Sequence, residues 1–544
     1  MARRVRITAI MWERVNLSLT VSADFAAERK VEFKIVDGER EFGVHTERVA
    51  PGEYLLQINV TNFVDRKQVP NGTWRFVPSV DGVPGAAADF DLDDLEKLDD
   101  WSRVYLYDGN KSSYVVAFGI SEDDHPVLLM RTYQLARAGG GGGTAARANI
   151  VTRLRGKLLN RKRITTVLNR WYRLCRILFP PPGNRILFAS EMRSGLEGNL
   201  LRIRDRMVER GLDSQFTFAY SFRVPKQGPE HSNWRGTLQV IKLLASSDIV
   251  LVDDYMGLLE PLELAPQTKV IQVWHAGSGF KSIGYSRFGS YGSPKLTNAH
   301  RKYTYAITGS EQLRHVYAEA FGIEESAVIP TGLPRVDTFL DPERTERVRA
   351  EFFEKHPHLA GKRLILIAPT FRGRGAPSAY YDYDQVDWDA LYRMCGDDTR
   401  ILFRAHHFVP PPVPIPEHCA DRIFDFTSFP SGNDLLHVTD ILVTDYSSII
   451  YEFSLLNRPI LFFAPDRQVY EATRGFHREY EAAAPGKICD TMDELIKAIE
   501  SEDFDLWKVA EFRQVNFDRI DTHAGDRVID WLILGNPAEH IEAR

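Results

Sequence analysis

The sequence has few of the features that would assign it to a common protein class. Its 544 residues contain only four cysteines, and no two of them have the spacing of a metal or redox motif. This usage predicts a reducing, cytoplasmic environment. No apolar run is long enough to span a bilayer, and Glu13 interrupts the short apolar run near the N-terminus, so neither a membrane span nor a signal peptide is expected.

Two signatures of phosphate chemistry are also missing. The chain has no P-loop pattern, which argues against a kinase or an ATPase. None of its carboxylate groupings is of clear metal-ligand type, so we expect neither a metal nor a cofactor. Bound phosphates would then be balanced by arginine, lysine, histidine and helix N-termini. The net charge of −6 gives the whole chain no affinity for polyanions, and no nucleic-acid partner is expected.

Acidic residues are absent from one long interval, residues 125–190, which contains thirteen lysines and arginines. A run of five glycines at 139–143 is typical of a flexible linker. Beyond it, apolar residues recur at helical spacing among the basic ones, which predicts a basic amphipathic helix. Residues 147–176 would bind an anionic membrane surface, with Trp171 and Tyr172 suited to the interface. Alternatively, the helix connects two domains and packs its apolar face on the second; both interpretations stay open.

The length predicts about three domains. Residues 1–136 consist of short runs rich in β-branched and aromatic residues, punctuated by turn dipeptides, and this predicts a β-sandwich. We expect an accessory domain there, with carbohydrate or acceptor binding as the alternative. Residues 137–182 form the linker and the basic segment. Residues 183–335 and 336–544 alternate strands and helices, which predicts two Rossmann-like domains facing a cleft.

The motif VWHAGSGFKSIG carries the most information. A buried strand ends there in His275, and catalytic side chains in α/β domains usually lie at the carboxyl ends of strands. A neutral imidazole takes a proton from a hydroxyl near pH 7, and Lys281 adds a positive charge to the same loop. The alternative is a core histidine that caps the strand.

Further cationic groups follow later strands. In RAHHF, alternation places Arg404 and His406 on one face, where both could donate hydrogen bonds to phosphate, and points His407 the other way as a structural residue. PTFRG places Arg372 at the same edge, and TGLPRVD places Arg335 in a rigid turn. Arg404 or His406, taken singly, could instead be a salt-bridged arginine or a buried, hydrogen-bonded histidine.

The motif TDYSS lies between a strand and a helix. Asp445, Ser447 and Ser448 would present hydroxyls and free backbone N–H groups at the helix N-terminus, a geometry that binds phosphate. Helix capping by Asp445 and Ser447 is the alternative.

Taken in order, VWHAGSGFKSIG, TGLPRVD, APTFRG, RAHHF and TDYSSIIYEFSLLNRPILFF resemble the CDP-glycerol glycerophosphotransferase family, the teichoic-acid primases and polymerases of bacterial cell envelopes. The resemblance covers roughly residues 184–530. It implies a GT-B fold whose first Rossmann-like domain (183–335) takes the acceptor and whose second (336–544) takes the nucleotide donor. It also implies a peripheral membrane enzyme at the cytoplasmic face.

The resemblance implies transfer of glycerol phosphate from CDP-glycerol to a polyprenyl-linked or polyol-phosphate acceptor, with release of CMP. His275 would be the general base. The donor pyrophosphate would be held by Arg404, His406, Ser447 and Ser448, with Arg372 nearby.

The histidine motif departs from the family pattern, which commonly reads HGTPLK. Here alanine follows the histidine, and Ser278 and Gly279 replace the usual Thr-Pro. CDP-ribitol or another CDP-polyol is therefore an alternative donor. A glycosyltransferase that uses a nucleotide sugar on the same fold is a second alternative, and a non-catalytic envelope-assembly factor is a third.

Overall fold

The computed structural model describes residues 5–536 apart from 24, 26–28, 91–96, 122–125, 137–160, 224–233, 276, 278, 291 and 374–377. The chain divides into two compact units. The first comprises Met1–Ile164, Ser282–Lys302 and Ala318–Glu324, and the second comprises Thr165–Lys281, Tyr303–Tyr317 and Glu325–Arg544.

The first unit is built mainly from one path of antiparallel strands, in the order β8-β1-β2-β5-β4-β3-β6-β11-β10-β9. Strand β8 pairs with β1 in parallel, and β7 pairs with β6 beside the path. The elements are β1 Val5–Glu13, β2 Asn16–Ala23, β3 Val31–Asp37, β4 Arg40–Ala50, β5 Glu53–Asn59, β6 Gly72–Val80, β7 Val83–Pro84, β8 Asp89–Phe90, helix α1 Lys97–Trp101, β9 Arg103–Tyr107, β10 Ser112–Ile120 and β11 Leu128–Ala136.

Alternation of apolar and polar residues explains these strands. In β2, Leu17, Leu19 and Val21 are buried while the residues between them are only half-buried. Inward-facing residues from both halves of the strand path, such as Leu19 and Trp74, belong to a single core.

The division into units does not follow the boundaries expected at residues 136 and 182. The segments 282–302 and 318–324 lie inside the predicted domain 183–335, yet they belong to the first unit. The physical reason is burial: Tyr285, Phe288 and Leu296 join the core of the β-strands. Long-range pairing of this kind leaves no local pattern in the sequence.

Polar contacts bind the two segments to the strands as well. Glu319 accepts hydrogen bonds from Arg14 Nε at 2.7 Å and from Asn16 Nδ2 at 2.6 Å. Arg301 donates to the main-chain oxygens of Thr61 and Arg66. The first unit is thus assembled from three separate stretches of chain.

The second unit contains two parallel six-stranded sheets, ordered β13-β12-β14-β15-β16-β17 and β20-β19-β18-β21-β22-β23. Its elements up to the first sheet's last strand are α2 Arg161–Leu178 (whose first turn is counted with the first unit), β12 Arg185–Ser190, α3 Gly198–Glu209, β13 Thr217–Phe222, α4 Trp234–Ala245, β14 Ile249–Val252, β15 Lys269–Gln272, β16 Tyr305–Ile307, α5 Arg314–Phe321 and β17 Val328–Ile329.

The remaining elements build and close the second sheet. They are α6 Pro334–Phe339, α7 Pro342–Lys355, β18 Arg363–Ile367, α8 Trp388–Cys395, β19 Thr399–Phe403, β20 Ile423–Asp425, α9 Gly432–Val438, β21 Ile441–Thr444, α10 Ile449–Leu455, β22 Ile460–Phe463, α11 Arg467–Arg474, α12 Tyr480–Ala483, β23 Lys487–Cys489, α13 Met492–Glu500, α14 Leu506–Asn516, α15 Ala524–Arg527 and a π-helical turn Val528–Ile533. Strands β14 and β21 are fully buried, and their apolar runs IVLV and ILV are continuous because both faces of a parallel sheet are covered.

The strand orders fix where a ligand can bind. All strands are parallel, but the direction in which successive strands are added to the sheet reverses between β12 and β14 in the first sheet and between β18 and β21 in the second. Ligands of open α/β sheets bind beyond the carboxyl ends of the strands at such reversals. The loops after these strands therefore carry the candidate active site.

Asp337 ties the closing helices to this framework. Its carboxylate accepts the backbone N–H groups of Ala524 and Gly525, at 2.9 Å and 2.7 Å. Burial raises the pKa of this carboxyl to about 6, and the two N–H groups oppose that shift.

Helix α2 packs one face on the first sheet's layer, as the connector interpretation expects. Leu168, Tyr172 and Cys175 are buried, and Asn169 Nδ2 donates to the carbonyl of Pro261 at 2.7 Å. Tyr172 is therefore not available to a membrane interface. Residues 147–160 of the predicted membrane-binding segment lie outside the described residues. Within the described part of the chain, no helix combines the length and apolarity needed to cross a bilayer.

Candidate active site

His275 lies in a turn just beyond strand β15. The strand ends at Gln272, before His275 itself, and Trp274 takes a left-handed conformation with φ of 48°. The Nδ1 atom of His275 lies 3.1 Å from Asp254 Oδ2 and 3.3 Å from the main-chain oxygen of Asp253. Both neighbours are acceptors, so Nδ1 carries the hydrogen and Nε2 is the basic atom.

Asp254 is a functional candidate that sequence reasoning missed. It follows β14, the neighbour of β15 in the sheet, and the motif LVDD at that strand end was the available signal. The adjacent Asp253 is buried and forms an ion pair with Arg193 at 2.9 Å. Burial raises the pKa of Asp253. The pairing of Asp254 with His275 orients the imidazole and would stabilise it once protonated.

A cationic cluster, which we define as Lys281, Arg404, His406 and His407, combines three residues that follow β19 of the second sheet with one from the loop after His275. Burial lowers the pKa of His406 to about 4, assisted by the nearby charges of His407, Lys281 and Arg404. At neutral pH this imidazole is therefore uncharged. Its Nδ1 accepts the N–H of Phe408 at 3.2 Å, so Nε2 carries a hydrogen that it can donate.

The expectation that His407 points away from His406 is wrong. The two rings stack with centroids 4.2 Å apart. The alternation rule fails because β19 ends at Phe403, and the chain beyond it is no longer an extended strand.

Arg404 is a half-buried cation without an acidic partner among the described residues. Its Nη1 donates to the main-chain oxygens of Phe426 at 3.0 Å and Phe429 at 2.6 Å, and burial lowers its pKa. Lys281, which reaches the cluster from the loop after His275, has its Nζ 5.9 Å from the ring centre of Tyr470. Such positive charge favours an anionic ligand.

Arg372 and Asp445 are engaged with the protein itself. Arg372 forms a bidentate pair with Asp466, at 2.6 Å and 2.9 Å, and contacts Asp445 Oδ2 at 2.9 Å. Asp445 is 1% exposed, and its Oδ1 accepts the N–H and hydroxyl of Thr370. These contacts join the ends of β18, β21 and β22. Direct substrate contact by either residue stays a prediction.

The two serines of TDYSS differ in their contacts. Ser447 Oγ accepts the N–H of Ile449 at 3.4 Å, as the capping interpretation expects. Ser448 is the N-cap residue of α10 and makes no side-chain capping bond. Phosphate binding by both hydroxyls stays a prediction.

Arg335 sits at the start of α6 and connects the two sheets' loops. Its guanidinium donates to the main-chain oxygen of His275 and forms an ion pair with Glu452, a buried residue of α10. The predicted contact of Arg335 with substrate remains untested. The structure brings this residue to the backbone of the histidine turn.

In the described ranges, one group of three side chains has the spacing of metal ligands: Asp389, His418 and Cys419. His418 Nε2 already lies 2.6 Å from Asp389 Oδ1, and burial raises the pKa of the Cys419 thiol, which disfavours the thiolate that binds metals. These residues lie on α8 and the turn before β20, not at the sheet reversals.

The arrangement combines a carboxylate-oriented imidazole on the first sheet with positively charged and hydrogen-bond-donating groups, most of them on the second sheet. A base of this kind can deprotonate an alcohol, and the cationic cluster can stabilise the charge of a phosphate leaving group. The site is thus suited to phosphoryl transfer onto a hydroxyl.

Most of the chain matches a known protein family. Residues 172–534 match the family model described as CDP-Glycerol:Poly(glycerophosphate) glycerophosphotransferase. The teichoic acid poly(ribitol-phosphate) polymerase of Bacillus spizizenii is 35% identical over 383 residues, covering 70% of this chain and 61% of the relative. The ribitol-phosphate polymerase TarK of Staphylococcus aureus is 34% identical, covering 66% of this chain and 70% of the relative.

The fold also has a solved counterpart. The wall teichoic acid polymerase TagF matches with a TM-score of 0.55 and 21% identity, covering 71% of this chain and 98% of TagF. This similarity supports the α/β, GT-B-like arrangement of the two parallel sheets. The chain spans 61% of the length of the Bacillus spizizenii polymerase. The family resemblance drawn from the motifs is confirmed: the chain belongs to the CDP-glycerol:poly(glycerophosphate) glycerophosphotransferase family.

Proposed function

We propose that this protein transfers a polyol phosphate from a CDP-polyol to a hydroxyl of a lipid-linked or polymeric acceptor in the synthesis of a teichoic-acid-like polymer, with release of CMP. The observation that carries the proposal is the His275–Asp254 pair on one sheet together with the cationic cluster, of which Arg404, His406 and His407 come from the other sheet. Family membership gives independent support.

The proposed reaction begins at the acceptor hydroxyl, which gives its proton to Nε2 of His275. The oxygen attacks the phosphorus that carries the polyol, and the bond from that phosphorus to the bridging oxygen breaks. CMP leaves with the bonding electron pair. Asp254 stabilises the imidazolium through Nδ1–H, and Arg404, Lys281 and the Nε2–H of His406 stabilise the charge on the leaving phosphate.

CDP-ribitol is the donor that the relatives favour over CDP-glycerol. The two relatives described above, at 35% and 34% identity, are both named for ribitol phosphate. The teichoic acid glycerol-phosphate primase of Bacillus subtilis is 28% identical. The altered residues Ala276 to Gly279 after the histidine fit a change of polyol.

A donor comparison tests this function directly. The full chain is incubated with CDP-ribitol, CDP-glycerol or UDP-N-acetylglucosamine and a polyol-phosphate acceptor, and free CMP or UDP is measured. We expect CMP release, faster with CDP-ribitol, and no UDP release. UDP release without CMP would support the glycosyltransferase alternative, and tight CDP binding without any turnover would support the assembly factor.

We propose that the exposed face of α2 docks on an anionic membrane, which would place the enzyme at the cytoplasmic face beside a lipid-linked acceptor. Val167, Leu174, Ile177 and Leu178 are exposed on this helix, Ile177 to 77%, although the opposite face is buried. The exposed Arg170 lies on the same helix. Apolar side chains with neighbouring cations suit the headgroup region.

The double variant Ile177→Glu/Leu178→Glu is expected to lose most of its co-sedimentation with vesicles containing phosphatidylglycerol, because two carboxylates replace apolar contacts at an anionic surface. Val83→Glu, at an equally exposed position of the first unit, should bind like the wild type. Equal co-sedimentation of all three proteins would refute the membrane-docking face. The accessory role of the predicted β-sandwich remains a proposal beside it.

A further inference from the structure

The turn that carries His275 is held through its backbone by side chains from distant parts of the chain. Trp274 has a φ of 48°, a conformation that residues with a side chain rarely adopt. Such a conformation persists only when surrounding contacts determine it. The contacts that do so here come mainly from Asn199 and Arg335.

Asn199 lies at the second position of α3, beyond the end of β12. Its Nδ2 donates to the main-chain oxygens of Val273 and Trp274, both at 2.8 Å. Its Oδ1 accepts the backbone N–H of Arg335 at 2.8 Å. The side chain is buried, 1% exposed. Both amide hydrogens and the amide oxygen are used, so rotating the amide by 180° would place its oxygen against two carbonyl oxygens.

Arg335 holds the next carbonyl. Its guanidinium donates to the main-chain oxygen of His275, so Asn199 and Arg335 between them bind three successive carbonyls. Gln272 also holds the backbone of this turn, because its Oε1 accepts the N–H of Trp274 at 2.8 Å. The other side of the guanidinium pairs with Glu452 on α10, the helix that follows TDYSS.

We propose that Asn199 is a positioning residue for the general base: it fixes the left-handed turn at Trp274 and thereby keeps Nδ1 of His275 against Asp254. Through Arg335, the same residue links the histidine turn to the helix on the donor side. The kinetic test of this inference rests on the proposed function, but the tautomer of the His275 imidazole can be observed without turnover.

The kinetic test uses Asn199→Asp, which keeps the size of the side chain but turns its donor towards the two carbonyls into an acceptor. We expect kcat for CMP release to fall about 10- to 100-fold while KM for the CDP-polyol stays within about twofold, because a small displacement of a catalytic group costs rate rather than donor binding. Asn199→Ala should behave in the same way if the aspartate variant does not fold.

Asn169 is a matched control on α2. Its Nδ2 also donates to two main-chain oxygens, those of Thr165 and Pro261, and its Oδ1 accepts the N–H of Glu263. Asn169→Asp should lower stability to a similar degree but leave kcat unchanged with a soluble acceptor. Equal kcat values for Asn199→Asp and Asn169→Asp would overturn the positioning role.

A second measurement separates this inference from the proposed function. ¹⁵N-histidine NMR spectra report which ring nitrogen of His275 carries the hydrogen. We expect the Nδ1–H form in the wild type and in Asn169→Asp, and a mixture of tautomers in Asn199→Asp. An unchanged tautomer in Asn199→Asp would overturn the positioning role. Absence of CMP release from the wild-type protein would refute the proposed function alone.

Discussion

Replacing His275 with asparagine is expected to lower kcat for polyol-phosphate transfer by about 10²- to 10⁴-fold, the usual contribution of a general base. The loss follows because Nε2 is the basic atom of a ring whose Nδ1 is bound to Asp254. Binding of CDP should stay nearly unchanged, because Arg404, His406 and His407 of the cationic cluster lie on a loop of the other sheet and Lys281 is retained. Quenched-reaction assays of CMP release measure kcat, and calorimetry measures the affinity for CDP, so the effect on catalysis is separated from the effect on binding.

Asp254→Asn is expected to give a loss of the same kind, because an amide can stabilise the wrong tautomer of the imidazole and cannot stabilise its charged form. His315→Asn is the control, since His315 is exposed on α5 and should leave turnover unchanged. If His275→Asn kept wild-type turnover, the hydroxyl would have to be deprotonated by another group, and the assignment of the base would fail.

The largest effect on stability is expected from Asp445→Ala, at about 3–5 kcal/mol of unfolding free energy. The variant removes the acceptor of the Thr370 N–H and hydroxyl, and it leaves Arg372 with Asp466 as its single acidic partner. Because Asp445 is buried, water cannot replace these bonds without opening the loop ends of β18 and β21. Urea unfolding monitored by tryptophan fluorescence gives the change.

Glu481→Ala provides the comparison for Asp445→Ala. Glu481 also pairs with an arginine, Arg467 at 2.7 Å, but it is exposed, so its removal should cost less than about 1 kcal/mol. Asp445→Asn should fall between the two, because the amide oxygen can still accept the hydrogen bonds of Thr370. Similar urea midpoints for Asp445→Ala and Glu481→Ala would contradict a large contribution of the buried Asp445 carboxylate to stability.

Sequence reasoning reached the α/β sheets because parallel strands leave a local pattern. Strand β14 is apolar throughout, and β18 and β21 each contain a continuous apolar run, LILI and ILV, that is followed by polar or charged residues. The position of His275 after such a run is therefore readable from the chain alone. The same holds for the cations that follow β18 and β19.

What could not be read is which strand ends become neighbours. Asp254 and His275 meet because β14 and β15 are adjacent in the sheet, and Arg372 is paired by Asp466 from a strand end far along the chain. The sequence presented Arg372 as a free cation, since nothing local marks a distant carboxylate as its partner. The role of Asn199 was hidden for the same reason: it acts on a turn in another loop.

Helix α2 shows a second limit of prediction from the sequence. Its apolar residues form two stripes, one with Leu168 and Tyr172 on the protein and one with Ile177 exposed. A periodic pattern predicts a helix but does not say which stripe meets which surface. The sequence therefore leaves the connector and membrane-docking interpretations open, whereas the structure shows that one stripe is buried against the protein and the other is exposed.

The make-up of the first unit bears on how the chain is synthesised. Its strands leave the ribosome first, but Tyr285, Phe288 and Leu296, which complete its core, are translated only after β12 to β15 of the other unit. Until these segments have been made, the N-terminal strands lack the side chains that complete their core, and the apolar surface that those side chains cover stays exposed in the nascent chain.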